Sequence, residues 1–247
     1  MNTKETYFIG VDIGGTKMAG AVVKDNGTIL SEGKIDTPHG ADGEKVYRAL
    51  IKLIKDILAP SGVEINELVG IGVGIPGIID PTGEKIIATP NIDLAGYPLY
   101  QNLHRDLKLP VALGNDVNVG LLGEKWLGRG KKFDNIIGLF PGTGIGGAII
   151  INGRLYAGAF GGAGELGHMI VQQNGPLCSC KNHGCLEALA SRWAIERDLK
   201  EAVKRGRRTN LQLPRILWRG AGSCGTAAGG LKTEALSYNI RSSAFLS

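Results

Sequence analysis

The chain has 247 residues, of which 43% are hydrophobic and 21% charged, and a formal net charge of +5. That is the make-up of an ordinary globular protein, long enough to bury a sizeable core in one large or two modest domains. No apolar run approaches the ~20 residues of a membrane span. The basic excess falls in residues 206–247, with six Lys and Arg against one acid, Glu234, so neither a nucleic acid nor a membrane is expected as a partner.

Glycine is unusual, at 39 residues, about twice the common ~7% share. The glycines cluster after apolar runs, as tight strand–turn junctions do. Met1 to Thr6 leads into a strand without a signal-peptide core, so the expected location is cytoplasmic. Reduced thiols there favour metal binding over disulfides.

Tyr7–Asp12 and Met18–Val23 read as strands, and Asn26-Gly27 as a hairpin turn into a third, Ile29–Ile35. An amphipathic helix follows over Glu44–Leu58, with Pro60 expected to end it. Val69–Ile75 is a glycine-interrupted buried strand that permits close approach to its backbone. Leu99–Leu107 is a helix, Val111–Leu113 a short strand, Val117–Leu127 a helix opened by Asn115-Asp116, and Leu186–Arg205 one long helix. The run from Ile9 (I-G-V-D-I-G-G-T-K) is repeated in character from Ile137 (I-G-L-F-P-G-T-G-I-G-G). Each copy is strand, Gly/Thr turn, strand and Asn-Gly, which points to two similar units with their turns across one cleft. Beyond Gly206 the character changes: residues 206–247 contain neither Val nor Asp and show no sustained period.

Chemistry is concentrated in four places. Asp12-Ile13-Gly14-Gly15-Thr16-Lys17 and Gly142-Thr143-Gly144-Ile145-Gly146 are two glycine turns. Their amides, threonines and lysine suit phosphate, and Asp12 suits a hydrated magnesium ion. Neither is a Walker A loop or a dinucleotide fingerprint. Asp116 fits equally a helix N-terminal cap and a general base that takes a proton from an attacking hydroxyl. Cys178, Cys180 and Cys185 lie within eight residues, with His168 ten residues before the first. This is a Cys₃His set for a structural zinc, against the alternative of reduced, buried thiols. His183 is a rival ligand, although ligands crowded on one tight turn surround a metal poorly. Glu165 and Glu187 stand at either end of this loop, placed to hold a polyhydroxylated ligand.

The motifs D-I-G-G-T-K, G-I-G-V-G-I-P-G, G-N-D-V-N, G-T-G-I-G-G, G-E-L-G-H and C-S-C-K-N-H-G-C-L-E-A occur in the order of the ROK family (repressors, open reading frames and kinases). The chain resembles most its bacterial glucokinase branch, over about residues 7–205. The resemblance implies an α/β, actin-like ATPase fold of duplicated RNase H-like domains. These would be 1–114 and 115–205, the second incomplete and carrying the zinc loop, followed by an atypical tail over 206–247. It implies phosphorylation of a hexose by ATP, glucose first, with Asp116 as base. Fructose, mannose or an N-acetylhexosamine are alternative substrates, and a sugar- and zinc-binding fragment without kinase activity is a further alternative. Gly77, Asn91, Asn115, Asp116, Glu165, His168 and Glu187 would face the sugar. Asp12, Gly14, Gly15, Thr16, Lys17, Gly142, Thr143, Gly144 and Gly146 would bind ATP and Mg²⁺, and His168, Cys178, Cys180 and Cys185 would bind Zn²⁺. A homodimer is implied as well. A repressor would need a DNA-reading module ahead of the first strand, where six residues stand, so it is not expected. Family members usually have glycine where Lys181 stands, between the ligands, so the zinc site requires that Lys181 can take the backbone conformation glycine takes there.

Overall fold

The computed structural model describes residues 5–38, 40, 42–90 and 92–207. Asn91 and the tail from residue 208 lie outside them. The elements below all belong to one unit, Met1–Arg205.

Strand β1 (Tyr7–Ile13) pairs antiparallel with β2 (Lys17–Lys24), and β2 with β3 (Ile29–Asp36). Helix α1 (Gly43–Ser61) then crosses to β4 (Leu68–Ile75), which lies parallel to β1. A small hairpin, β5 (Ile78–Ile79) with β6 (Ile86–Ala88), precedes α2 (Leu99–Leu107) and β7 (Val111–Asn115). The five-stranded sheet has the order β3-β2-β1-β4-β7. Alternation on β1 turns Ile9, Val11 and Ile13 into the core and leaves Gly10 and Asp12 on the opposite face. Leu50, Leu53, Ile54 and Ile57 of α1 fill that core, and Gly20 and Gly33 let α1 lie close, since a Cβ on either would press on Ile57 and Leu53.

Helix α3 (Asp116–Trp126) leads to β8 (Ile136–Pro141), β9 (Ile145–Ile151) and β10 (Arg154–Leu155) in a second sheet ordered β10-β9-β8. As in β1-β2-β3, a glycine turn joins the first two strands and an Asn-Gly pair lies between the second and third. Asn152 and Gly153 both have positive φ, 51° and 75°, as a tight hairpin requires. The repeat read in the sequence is thus a repeat of three antiparallel strands. Leu121 of α3 packs with Ala148 and Ile150 of β9 in a separate small core.

Three expectations are corrected. Pro60 does not end α1: it sits in the last turn, and Gly62, left-handed at φ 72°, terminates the helix. Residues 186–205 are not one helix. Ser191 is extended and its hydroxyl accepts from Ala194 N, which divides the segment into α4 (Leu186–Ala190) and α5 (Arg192–Lys204). The third helix begins at Asp116 and ends at Trp126, one residue earlier at each end than its apolar pattern implies. Among the described residues no helix is long and apolar enough to cross a membrane.

Candidate active site

Register places the carboxylates. Asp12 stands opposite Gly74 across the parallel β1–β4 pair, and Gly74 opposite Gly114 across β4–β7. A Cβ on Gly74 would lie 3.0 Å from Val119 Cγ2, so its absence lets the first turns of α3 pack closely on the sheet. Asp12 and Asp116 therefore meet at the C-terminal ends of parallel strands, where α/β sheets bind ligands. Burial, and then the negative charge of Asp116, push the Asp12 carboxyl above its ordinary range. A hard divalent cation beside Asp12 would relieve that repulsion, and the Asp12 carboxylate is the kind of oxygen donor it prefers.

The N-terminus of α3 is held by side chains. Asn115 Oδ1 accepts from Asn118 N at 3.0 Å, and its Nδ2 donates to Gly77 O at 2.9 Å. Asp116 Oδ1 accepts from Val117 N at 2.9 Å, which fixes its carboxylate at the positive end of the helix. On its other side, α3 meets the second glycine turn, where a Cβ on Gly146 would overlap the Val117 side chain.

A cleft of about 1070 Å³ joins these parts; its lining includes Asp12, Asp116, the Gly142–Gly147 turn, Glu165, His168 and Glu187. Gly77 and Asn115 line it as well. The Gly14–Lys17 turn does not: Gly14 N bonds to Lys17 O at 2.8 Å, and the Lys17 ammonium lies 2.8 Å from Asp36. Asn91 falls outside the described residues. Three lining or supporting residues escaped the sequence reading. Trp193 lines the cleft, Ser179 donates to Glu187 Oε1 at 2.9 Å, and Arg192 Nη2 donates to Thr143 Oγ1 at 3.0 Å. Only Ser191, the helix cap beside Arg192 and Trp193, carried a local signal there.

His168, Cys178, Cys180 and Cys185 bring one donor atom each within 4.8 Å of one another. The His168 Nδ1 to Cys178 Sγ and the Cys180 to Cys185 Sγ separations are both 3.6 Å. A tetrahedral zinc with ordinary bond lengths has ligand–ligand edges of about 3.6–3.8 Å, so these two edges match that ion and the four donors form a candidate site for it. His183 turns away, its Nδ1 3.1 Å from Gly175 O. Burial, then the neighbouring thiols, push the Cys185 thiol up to about 12, while Cys180 is lowered, chiefly by the Asn182 backbone. His168 presents its other nitrogen, Nε2, to Glu165 Oε2 at 3.9 Å. The same ring can therefore serve metal and cleft. Lys181, between the ligands, has φ 74°, in the left-handed region that glycine favours, so it meets the condition set by the missing glycine.

The two hairpin-led sheets and the cleft beside α3 define an α/β protein of the actin-like ATPase fold, as the solved relatives do. The chain belongs to the ROK family, whose pattern matches residues 8–229. It is 39% identical over 199 residues to a glucokinase of Thermotoga maritima, covering 80% of this chain and 61% of that one. A xylose repressor of Caldicellulosiruptor bescii is 36% identical over 199 residues, covering 81% and 50%. A ROK family glucokinase from Streptomyces griseus, solved with glucose and AMPPNP, superposes with a TM-score of 0.70 at 37% identity, covering 81% of this chain and 62% of that one. The chain thus spans between half and two thirds of these relatives.

Proposed function

We propose that this chain carries the sugar and phosphate sites of an ATP-dependent hexose kinase, with glucose as the first candidate substrate. The observation that carries the reading is the convergence of Asp12, Asp116, the Gly142–Gly147 turn, Glu165 and His168 on one cleft. In the proposed reaction Asp116 accepts the proton of a sugar hydroxyl. The hydroxyl oxygen bonds to the γ-phosphorus of ATP, and the bond from that phosphorus to the bridging oxygen breaks to release ADP. Fixing Asp116 through Val117 N holds the base still, so that positioning supplies much of the rate. Asn115, Glu165, His168 and Glu187 would order the sugar, with Gly77 and Asn91 at its edge. Amides of the Gly142–Gly146 turn, with Thr143, would cradle phosphate; Gly14, Gly15, Thr16 and Lys17 are assigned to the nucleotide on the motif alone.

Magnesium, held by Asp12, would neutralise charge on the transferring phosphate. Zinc on His168, Cys178, Cys180 and Cys185 would fix the loop that carries Glu187, with no open position for chemistry. We assign residues 1–114 and 115–205 to the two duplicated domains, a cytoplasmic location, and a homodimer. The xylose repressors among the relatives favour a second reading, sugar binding without transfer. Calorimetry with glucose, fructose, mannose and N-acetylhexosamines, run beside hexose-dependent ADP release, separates the two. Binding without ADP release supports the second reading and rejects the first.

A further inference from the structure

The Gly142–Ile145 turn is gripped from the cysteine side at several atoms. Glu187 is buried, and its Oε2 accepts from Ile145 N at 2.9 Å. Its Oε1 accepts from Ser179, a residue flanked by Cys178 and Cys180, and a Cβ on Gly144 would overlap Oε2. Arg192 adds two bonds, its N–H to Gly142 O at 3.1 Å and its guanidinium to Thr143 Oγ1. From the other side Gly167, next to His168, lies so close that a Cβ there would overlap Ile145 O. Glu187, Ser179, Arg192 and Gly167 are thus all within seven residues of a metal-fitting donor, on short segments that start from those donors.

We propose that Glu187 and Arg192 are positioning residues that couple the Cys₃His loop to the Gly142–Ile145 turn, so that metal loading sets the turn's order and its affinity for the phosphates of a nucleotide. The nucleotide half of this rests on the function proposed above; the coupling does not. An ion that draws Cys178, Cys180, Cys185 and His168 together fixes Ser179 and Gly167, and through them both sides of Ile145. Without the ion, those segments are joined only by the loop's own backbone and hydrogen bonds, and the Ile145 amide depends on its bond to Glu187. Arg192 acts from the solvent side, where it closes Thr143 against α5.

Hydrogen exchange at the Ile145 amide, with Zn²⁺ bound and after chelation, reads the coupling without any nucleotide. Loss of a hydrogen bond to a charged acceptor accelerates exchange by about tenfold or more, and that is the result expected on chelation and in Glu187→Ala. Mg-ATP titrations are run on the same samples. The expected result is weaker binding after chelation, a few-fold weaker binding in Arg192→Ala with zinc stoichiometry unchanged, and partial recovery in Arg192→Lys. Equal Ile145 exchange with and without zinc overturns the coupling, whatever ATP does. A zinc-dependent exchange rate with no Mg-ATP binding by the loaded protein keeps the coupling and overturns the assignment of the turn to nucleotide.

Discussion

Asn115 is tied to Gly77 by a 2.9 Å bond from its Nδ2, while its Oδ1 caps α3 through Asn118 N. Both ends of the amide therefore serve the scaffold at a cleft-lining position. Asn115→Ala is expected to cost about 1–2 kcal/mol of stability as a lost cap. Asn115→Asp keeps the cap and loses the donation to Gly77. Urea unfolding of the two variants should place Asn115→Asp between wild type and Asn115→Ala.

Lys181 occupies the left-handed region at φ 74° inside the metal loop. A non-glycine residue pays roughly 1–2 kcal/mol for that conformation. Lys181→Gly is expected to raise stability by about 1 kcal/mol with zinc bound, read as a higher urea midpoint at constant slope. A lower midpoint would contradict the strained-loop account.

Zinc binding to the four-donor site must displace protons, because Cys185 is held up to about 12 and enters the site as a thiol. Calorimetric titration with Zn²⁺ in buffers of different ionisation enthalpy is expected to show net proton release that includes this thiol. Cys185→Ser should release fewer protons and bind zinc more weakly.

Between α1 and α2, the Tyr47 hydroxyl donates to Asp106 Oδ2 at 2.6 Å. The Arg105 guanidinium and then that hydroxyl hold the Asp106 carboxyl down at about 2. A depressed carboxyl stabilises the fold above its unfolded value of 3.8, and the contribution is lost as pH falls from there to about 2. Thermal unfolding across this window is expected to be steeper in wild type than in Asp106→Asn. Tyr47→Phe should cost about 1 kcal/mol at neutral pH, since Tyr47 is buried.

The periodic elements were legible because their apolar residues are local. The α1 stripe, the β1 alternation and both Asn-Gly turns each sit within a few residues of sequence. The Cys₃His set was legible for the same reason, its donors spanning residues 168–185. Long-range placements were not. Asp36 claims the Lys17 ammonium because β2 pairs with β3, and Arg192 meets Thr143 because Ser191 breaks the helix and turns it back. Helix period alone predicts a continuous segment there, because one capping serine is a weaker local signal than the helical pattern on either side of it. Glu187 lines the cleft, where the motif puts it, but its bonds to Ile145 and Ser179 are visible only once β9 and the loop are packed together.

Asp116 is proposed as the base of a hexose kinase. Glucose-dependent ADP release by the 247-residue chain, loaded with zinc and magnesium, is the direct measurement. Removing a general base lowers the rate by about 10²–10⁴-fold. Release is expected in wild type, with a loss of that size in Asp116→Ala and glucose binding retained within a few-fold. Equal rates in wild type and Asp116→Ala, or no release from folded, metal-loaded protein that binds both glucose and Mg-ATP, would contradict that role.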